Sequence, residues 1–279
     1  MEEIKRLKKE AIGIRKRTLE IIFGASGGHA GGALSSVDIL VALYFKVMKI
    51  DPLHPDDPNR DRFIMSKGHS VESYFSVLAR KGFFPDALLE TYGKFNSVLS
   101  GHPTRKVPGI ELNSGALGHG LSVGVGMALA AKRQGREYRT FVLMGDGEQV
   151  EGSIMEAAAA AGHYNLDNLI AIIDRNKLQI SGLTEEVMSI EDLGKKYEAC
   201  GWKVIEIDGH NMKELTHILS NTPVKMGKPT CVIAHTIKGK GISFIENNKS
   251  WHHNVPTAQQ LIDATKELNL MKEDIENER

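Results

Sequence analysis

Asp146 and Asn176 stand thirty positions apart. Together they offer a hard divalent cation the ligands it prefers, a carboxylate oxygen and an amide oxygen. Mg²⁺ takes one or two such protein groups and completes its octahedron with phosphate oxygens and water. Gly145 and Gly147 flank the aspartate, and without a Cβ they let the main chain approach a diphosphate closely and offer N–H groups. Read alone, Gly145-Asp146-Gly147 is a turn and Asn176 a helix cap. The pair at this spacing points instead to a divalent-metal and diphosphate site.

The elements around the pair explain the spacing. Phe141-Val142-Leu143-Met144 and Leu169-Ile170-Ala171-Ile172-Ile173 are short apolar runs, separated by Glu151 to Gly162 with five consecutive alanines. This is the pattern of a strand, a crossover helix and a parallel strand. A helix of about twelve residues is roughly 18 Å long, enough to return the chain to the starting edge of the sheet. Asp146 and Asn176 are then expected to emerge side by side at the carboxyl edge, where open α/β sheets bind ligands.

Further elements follow by periodicity. Ile4, Leu7, Ala11, Ile14, Thr18 and Ile21 recur at helical steps and predict an amphipathic helix over residues 1–23. A glycine-rich turn is expected around His29. Ser35-Ser36-Val37-Asp38 reads as a helix start, with Ile39 to Met48 continuing it. Prolines 52, 55 and 58 make a loop, Phe63-Ile64-Met65 a strand and Val71 to Lys81 a helix. Residues 91–118 lack clean periodicity and read as a functional loop over the sheet edge, while Gly115 to Ala131 reads as a tightly packed buried helix. Val204 to Ile207 and Cys231 to Ala234 add strands around a helix from Met212 to Leu219. Thr257-Ala258-Gln259-Gln260 has capping-box form and opens a charged terminal helix. The expectation is one α/β domain over residues 1–279: a single doubly wound, mostly parallel sheet with helices on both faces.

Composition narrows the function. Thirty-five basic residues balance 35 acidic ones, so nothing recommends nucleic acid or an anionic membrane as partner. The charged amino terminus lacks a signal-peptide core, and His119 with five glycines makes 115–131 a poor membrane span. Cys200 and Cys231 fit no metal spacing. They are expected to be reduced, buried thiols in a cytoplasmic protein.

Gly-Asp-Gly followed about thirty residues later by asparagine resembles the thiamine diphosphate fingerprint, and more of the chain resembles transketolase. Gly28-His29-Ala30-Gly31-Gly32, Arg60 to His69, Gly101-His102-Pro103, Gly115 to Gly120 and Thr236 to Gly241 occur in that family's order and approximate spacing. The resemblance implies the thiamine diphosphate-binding fold, with Mg²⁺ (Mn²⁺ or Ca²⁺ being alternatives) on Asp146, Asn176 and the Leu178 carbonyl. It implies diphosphate contacts from Gly147 and His69, and a thiazolium against Gly115, Ala116 and Leu117. His29 and His252 become proton-transfer or oxyanion-stabilising groups, with His252 also at the cofactor, and His102 holds a hydroxyl of the two-carbon fragment. Imidazoles near neutral pKa suit both directions of proton movement. Glu151 falls at the family's buried carboxylate that communicates with the cofactor; it also reads simply as a first-turn helix acid. Departures include alanine for the usual proline at Ala30 and Ala116, His119 for glutamine, Arg175 for an acid and His253 for glycine.

A full-length transketolase continues into a pyrimidine-binding domain and a third domain. The resemblance therefore implies a split enzyme of the pentose phosphate pathway. This chain would be the diphosphate-binding subunit of a two-plus-two heterotetramer with a separate pyrimidine-binding C-terminal subunit, moving a two-carbon ketol unit between sugar phosphates. Alternatives are a 2-oxo acid dehydrogenase component, a relative of deoxyxylulose phosphate synthase, or a non-catalytic cofactor-binding module. Nicotinamide binding is disfavoured by the absence of Gly-x-Gly-x-x-Gly after a strand.

Overall fold

The computed structural model describes residues 2–277; positions 1, 278 and 279 of the expected domain lie outside them. Five strands, β1 (Arg62–Met65), β2 (Thr140–Gly145), β3 (Leu169–Arg175), β4 (Lys203–Asp208) and β5 (Thr230–His235), form one sheet in the order β1-β2-β3-β5-β4. Every pairing is parallel. The helices are α1 (Glu2–Ala25), α2 (Ala30–Ser35), α3 (Val37–Ala42), α4 (Val71–Lys81), α5 (His119–Arg133), α6 (Gly152–His163), α7 (Thr184–Val187), α8 (Leu193–Ala199), α9 (Met212–Ser220) and α10 (Ala258–Asn277).

The strands are continuous apolar runs because both faces are covered. Ile170 and Ile172 of β3 pack with Phe141, Leu143 and Val232 against α1, α3, α4 and α9. Their neighbours Leu169, Ala171 and Ile173 point the other way, with Val142 and Met144, against α5, α6 and α8. The period of two along each strand thus feeds two cores from one sheet. A third cluster joins the outer side of α1, through Ile12, Leu19 and Ile22, to Trp251 and to Ala264 and Leu268 of α10.

The expected capping box forms: Thr257 N–H donates to Gln260 Oε1 at 2.9 Å, and Gln260 N–H to Thr257 Oγ1 at 3.2 Å. Two expectations need correction. A further helix precedes the expected one: α2 begins at Ala30 with His29 at its cap, so Gly31 and Gly32 lie inside a helix rather than in a turn, while α3 starts at Val37 behind Ser36 as expected. A Cβ on Gly31 would stand 2.8 Å from the Trp251 carbonyl, and one on Gly32 2.6 Å from Ser70 Oγ. Close packing, not turn geometry, requires those glycines. Similarly, residues 115–118 are not helical; the buried helix starts at His119, behind Gly118 at φ +84°. Of the cysteines, Cys231 is buried and Cys200 only half-buried. Among the described residues no helix is long and apolar enough to cross a membrane.

Candidate active site

Register brings the metal-type residues together. Gly145 of β2 lies opposite Asp174 of β3, so the segments leaving both strands emerge at the same edge. Lys177 N–H donates to Asp146 Oδ2 at 2.6 Å, and Gly147 N–H to Asp146 Oδ1 at 2.7 Å. Arg175, buried, reaches Asp146 Oδ2 at 3.2 Å and ties it to Thr184, Glu185 and Glu191. Asn176 donates its amide nitrogen to Asp174 Oδ1 at 3.3 Å, while its Oδ1 accepts from Leu178 N–H at 3.2 Å. Burial first, and then the negative Asp174, push the Asp146 carboxyl upward. That is the electrostatic condition of a site suited to a cation.

Asp146, Asn176 and Leu178 line one cavity of about 280 Å³ with Gly147, Gly115, Leu117, His29, His69 and His252. Among the described residues there is no cluster of three His, Cys, Asp or Glu able to hold a metal. Asp146, Asn176 and Leu178 instead offer that cavity a carboxylate, an amide oxygen and a main-chain carbonyl, oxygen donors of the type a hard cation takes. The same wall carries groups suited to a diphosphate. A Cβ on Gly147 would meet Gln179 Cγ at 2.8 Å, and Gln179 Nε2, lining the cavity, is a buried donor without a partner. Lys67 and Lys238 bring positive charge to the wall.

Three imidazoles cluster opposite. Ring centroids of His29 and His69 are 5.2 Å apart, His29 and His252 5.6 Å, and His69 and His252 5.3 Å. Burial, with His253, His102 and Lys238, brings His29 down to about 4. Burial, then Lys67 and His29, bring His69 to about 2, and burial with Lys238 and His29 brings His252 to about 3. All three are thus neutral at pH 7 and lie below the near-neutral range expected of them, because burial and the neighbouring cationic groups disfavour their protonation. Lys238 Nζ lies 2.9 Å from His252 Nδ1 and 3.2 Å from the Leu178 carbonyl. Burial and the nearby Lys67 bring Lys238 down to about 8, so it is mostly protonated at neutrality and donates. His252 Nδ1 must then accept, leaving the proton on Nε2.

Other expected residues stand differently. His102 is exposed and lies on the rim rather than the wall, its ring against Gly115, where a Cβ would meet its Cδ2 at 2.8 Å. Ala116 is exposed and outside the cavity wall formed by its neighbours. Glu151, expected as a buried carboxylate, is exposed at the cap of α6 with no side-chain cap bond. A carboxylate that is buried in this chain, Glu148, lies three residues earlier. It accepts from Ser66 Oγ, from Gly118 N–H at 2.8 Å and from Gly145 N–H at 3.0 Å, and burial pushes it upward. Sequence reasoning also passed over Lys67, Lys238 and Gln179. Both lysines sit inside glycine-flanked motifs, Ser66-Lys67-Gly68-His69 and Lys238-Gly239-Lys240-Gly241, and a charged residue beside glycine at a strand end was the available signal.

Comparison with known proteins gives the family. Residues 7–274 match the family model described as transketolase, thiamine diphosphate binding domain. The chain is 53% identical over 264 residues to one of the subunits of the apulose-4-phosphate transketolase of Phocaeicola vulgatus, covering 95% of this chain and 94% of that one. It is 43% identical over 263 residues to the 6-deoxy-6-sulfo-D-fructose transketolase subunit SqwG of a Clostridium species, covering 94% and 96%. The solved transketolase from Leishmania mexicana superposes with a TM-score of 0.86 at 29% identity; the match covers 99% of this chain but 45% of that one, so the chain spans less than half of a full-length enzyme. With the diphosphate-type cavity, the ordered motifs and these matches together, the chain belongs to the transketolase family, as its thiamine diphosphate-binding domain.

Proposed function

We propose that this chain is the diphosphate-binding subunit of a two-chain transketolase, moving a two-carbon ketol unit from a ketose phosphate to an aldose phosphate. The observation that carries the reading is the joint presence, in one cavity at the carboxyl edge of β2 and β3, of the Asp146, Asn176 and Leu178 oxygens and three clustered histidines. Mg²⁺ is the ion those donors suit best, and Mn²⁺ or Ca²⁺ would find the same oxygens. Gly147, Gln179, His69 and the two lysines would hold the diphosphate, and Gly115 and Leu117 the thiazolium. When bound, thiamine diphosphate supplies the electron sink for the two-carbon unit.

The chain's own residues handle protons and orientation. His252, with its proton on Nε2, is set to donate to an oxygen that becomes negative. His29, neutral at pH 7, is set to take a hydroxyl proton and return it to the product alkoxide. His102 on the rim holds a hydroxyl of the fragment, and Glu151 faces outward, where a second chain would meet it. Ile180 lines the cavity yet is 72% exposed, which fits a wall to be completed by another protein chain. The relatives named as subunits support a separate pyrimidine-binding partner, and we extend this to a two-plus-two heterotetramer in the cytoplasm. Residues 1–279 act in it as one domain. A pentose phosphate substrate is the general expectation; the apulose-4-phosphate in the name of the Phocaeicola relative is the first alternative to assay.

The test is transfer from ketose phosphate to aldose phosphate with Mg²⁺ and thiamine diphosphate, with and without the partner chain. Turnover requiring both chains is expected, and His29→Ala should lower it by about 10²-fold or more while cofactor still binds. Robust turnover by this chain alone would defeat the split reading. An unaffected His29→Ala would favour a mere binder.

A further inference from the structure

Beneath the histidines lies a buried acid that the proton transfers above do not use. Glu72, in the first turn of α4 and three positions after His69, is completely buried. Its Oε1 accepts from the main-chain N–H of His29 at 2.9 Å and from the hydroxyl of Tyr92 at 2.9 Å. Its Oε2 has no hydrogen-bond partner. Gly28 leaves the room: a Cβ there would stand 2.6 Å from Glu72 Oε1.

We propose that Glu72 is a positioning residue for ketol transfer, one carboxyl oxygen holding both the backbone of His29 and, through Tyr92, the head of the loop that carries His102. Three parts of the site otherwise come from segments far apart in sequence. His69 enters α4 directly, His29 caps α2, and His102 lies in the irregular stretch after Tyr92. Glu72 follows the first in sequence, bonds the second at its main chain and reaches the third through Tyr92, at the start of its stretch. An apolar side chain would fill this space without leaving a carboxyl oxygen bare in a dry interior. What it would not do is accept two hydrogen bonds, and a buried N–H or O–H without an acceptor is itself costly. Burial pushes this acid up to about 7, yet neutral or charged it keeps a lone pair for each donor. Displacing a reacting group by an ångström reduces rate far more than binding, so the signature of lost positioning is a fall in kcat at nearly constant KM.

The inference rests on His29 as a proton-transfer group, and the experiment separates the two. With the assembled two-chain enzyme, Mg²⁺ and thiamine diphosphate, Glu72→Leu is expected to lower kcat by about 10-fold or more. KM for the acceptor and cofactor affinity by calorimetry should change less than about 3-fold. Glu72→Gln keeps an oxygen for both donors and should restore kcat to within about 3-fold of the parent. Tyr92→Phe keeps the ring and frees the loop; it should lower kcat measurably in an enzyme that still folds, and it stands as the test if Glu72→Leu does not fold. A folded Glu72→Leu enzyme with parental kcat, a Gln variant as poor as Leu, or a Tyr92→Phe enzyme with parental kcat would each overturn the proposal. An inactive parent assembly would overturn the function and this inference together, whereas an active parent with any of those results overturns this inference alone.

Discussion

Replacing Lys67 by methionine should destabilise the protein by about 3 kcal/mol, at the lower end of the cost of removing one partner from a buried ion pair. The Lys67 and Asp174 side chains are 2% and 0% exposed, so neither charge has water to fall back on. The lower end applies because Asp174 keeps other donors: Ser35 Oγ at 2.6 Å, Asn176 Nδ2 at 3.3 Å and Thr236 Oγ1. Lys67 Nζ also donates to the Gly32 carbonyl at 2.9 Å, a bond that methionine cannot replace. About 3 kcal/mol is roughly a 10²-fold change in the folding equilibrium, and a large share of a domain's 5–15 kcal/mol. Burial alone would push Asp174 up; Lys67 and the hydroxyls hold it at about 2. Its stabilising contribution is therefore present above the unfolded carboxyl pKa and lost as pH falls toward 2. Urea unfolding at pH 7.5 measures the effect as a shift in midpoint at constant slope. The double variant Lys67→Met/Asp174→Asn, which removes both charges, should recover most of the loss. A single-variant cost below about 1 kcal/mol, the range of exposed pairs, would rule out a buried pair of this strength, and so would a double variant no better than the single.

Two further outcomes follow from the same geometry. Asp146→Ala should weaken Mg²⁺-dependent thiamine diphosphate binding by at least about 10-fold, measured by calorimetry with the assembled enzyme, with Mg²⁺ no longer improving affinity. His69→Asn should alter the pH dependence of stability: native His69 stays neutral down to about 2, while the unfolded chain takes a proton below its ordinary 6.5. The folded state thus loses stability as pH drops below 6.5, and the variant, lacking that penalty, should gain on the parent by about 2 kcal/mol at pH 5. Equal parent-to-variant differences at pH 7.5 and pH 5 would contradict the assignment.

Much of the architecture was legible because its signals are local. The strands of a parallel sheet covered on both faces are unbroken apolar runs, and α1 and α10 carry helical periodicity or a capping box. Asp146 and Asn176 could be paired from sequence because a single crossover helix joins their strands. The start of α2 was not legible: glycines 31 and 32 argue against helix by propensity, and their close approach to the Trp251 carbonyl and Ser70 leaves no trace in the sequence. Glu148 and Glu151 are three residues apart, and what buries one and exposes the other is the distant Ser66 and Gly118. Lys67 and Asp174, 107 positions apart, and Glu72 with His29 and Tyr92, are pairings of the tertiary fold with no periodic trace. Buried charge is the part of this site that a linear reading misses.

The proposed function stands or falls with Asp146, Asn176 and Leu178 sharing one ion that anchors a diphosphate. Crystals of the assembled enzyme grown with Mn²⁺ and thiamine diphosphate would reveal that ion by anomalous scattering. One manganese peak is expected within coordination distance of Asp146, Asn176 and the Leu178 carbonyl oxygen, beside the diphosphate. A peak elsewhere, or a bound cofactor whose phosphates lie away from those three oxygens, would show that the diphosphate is anchored in some other way.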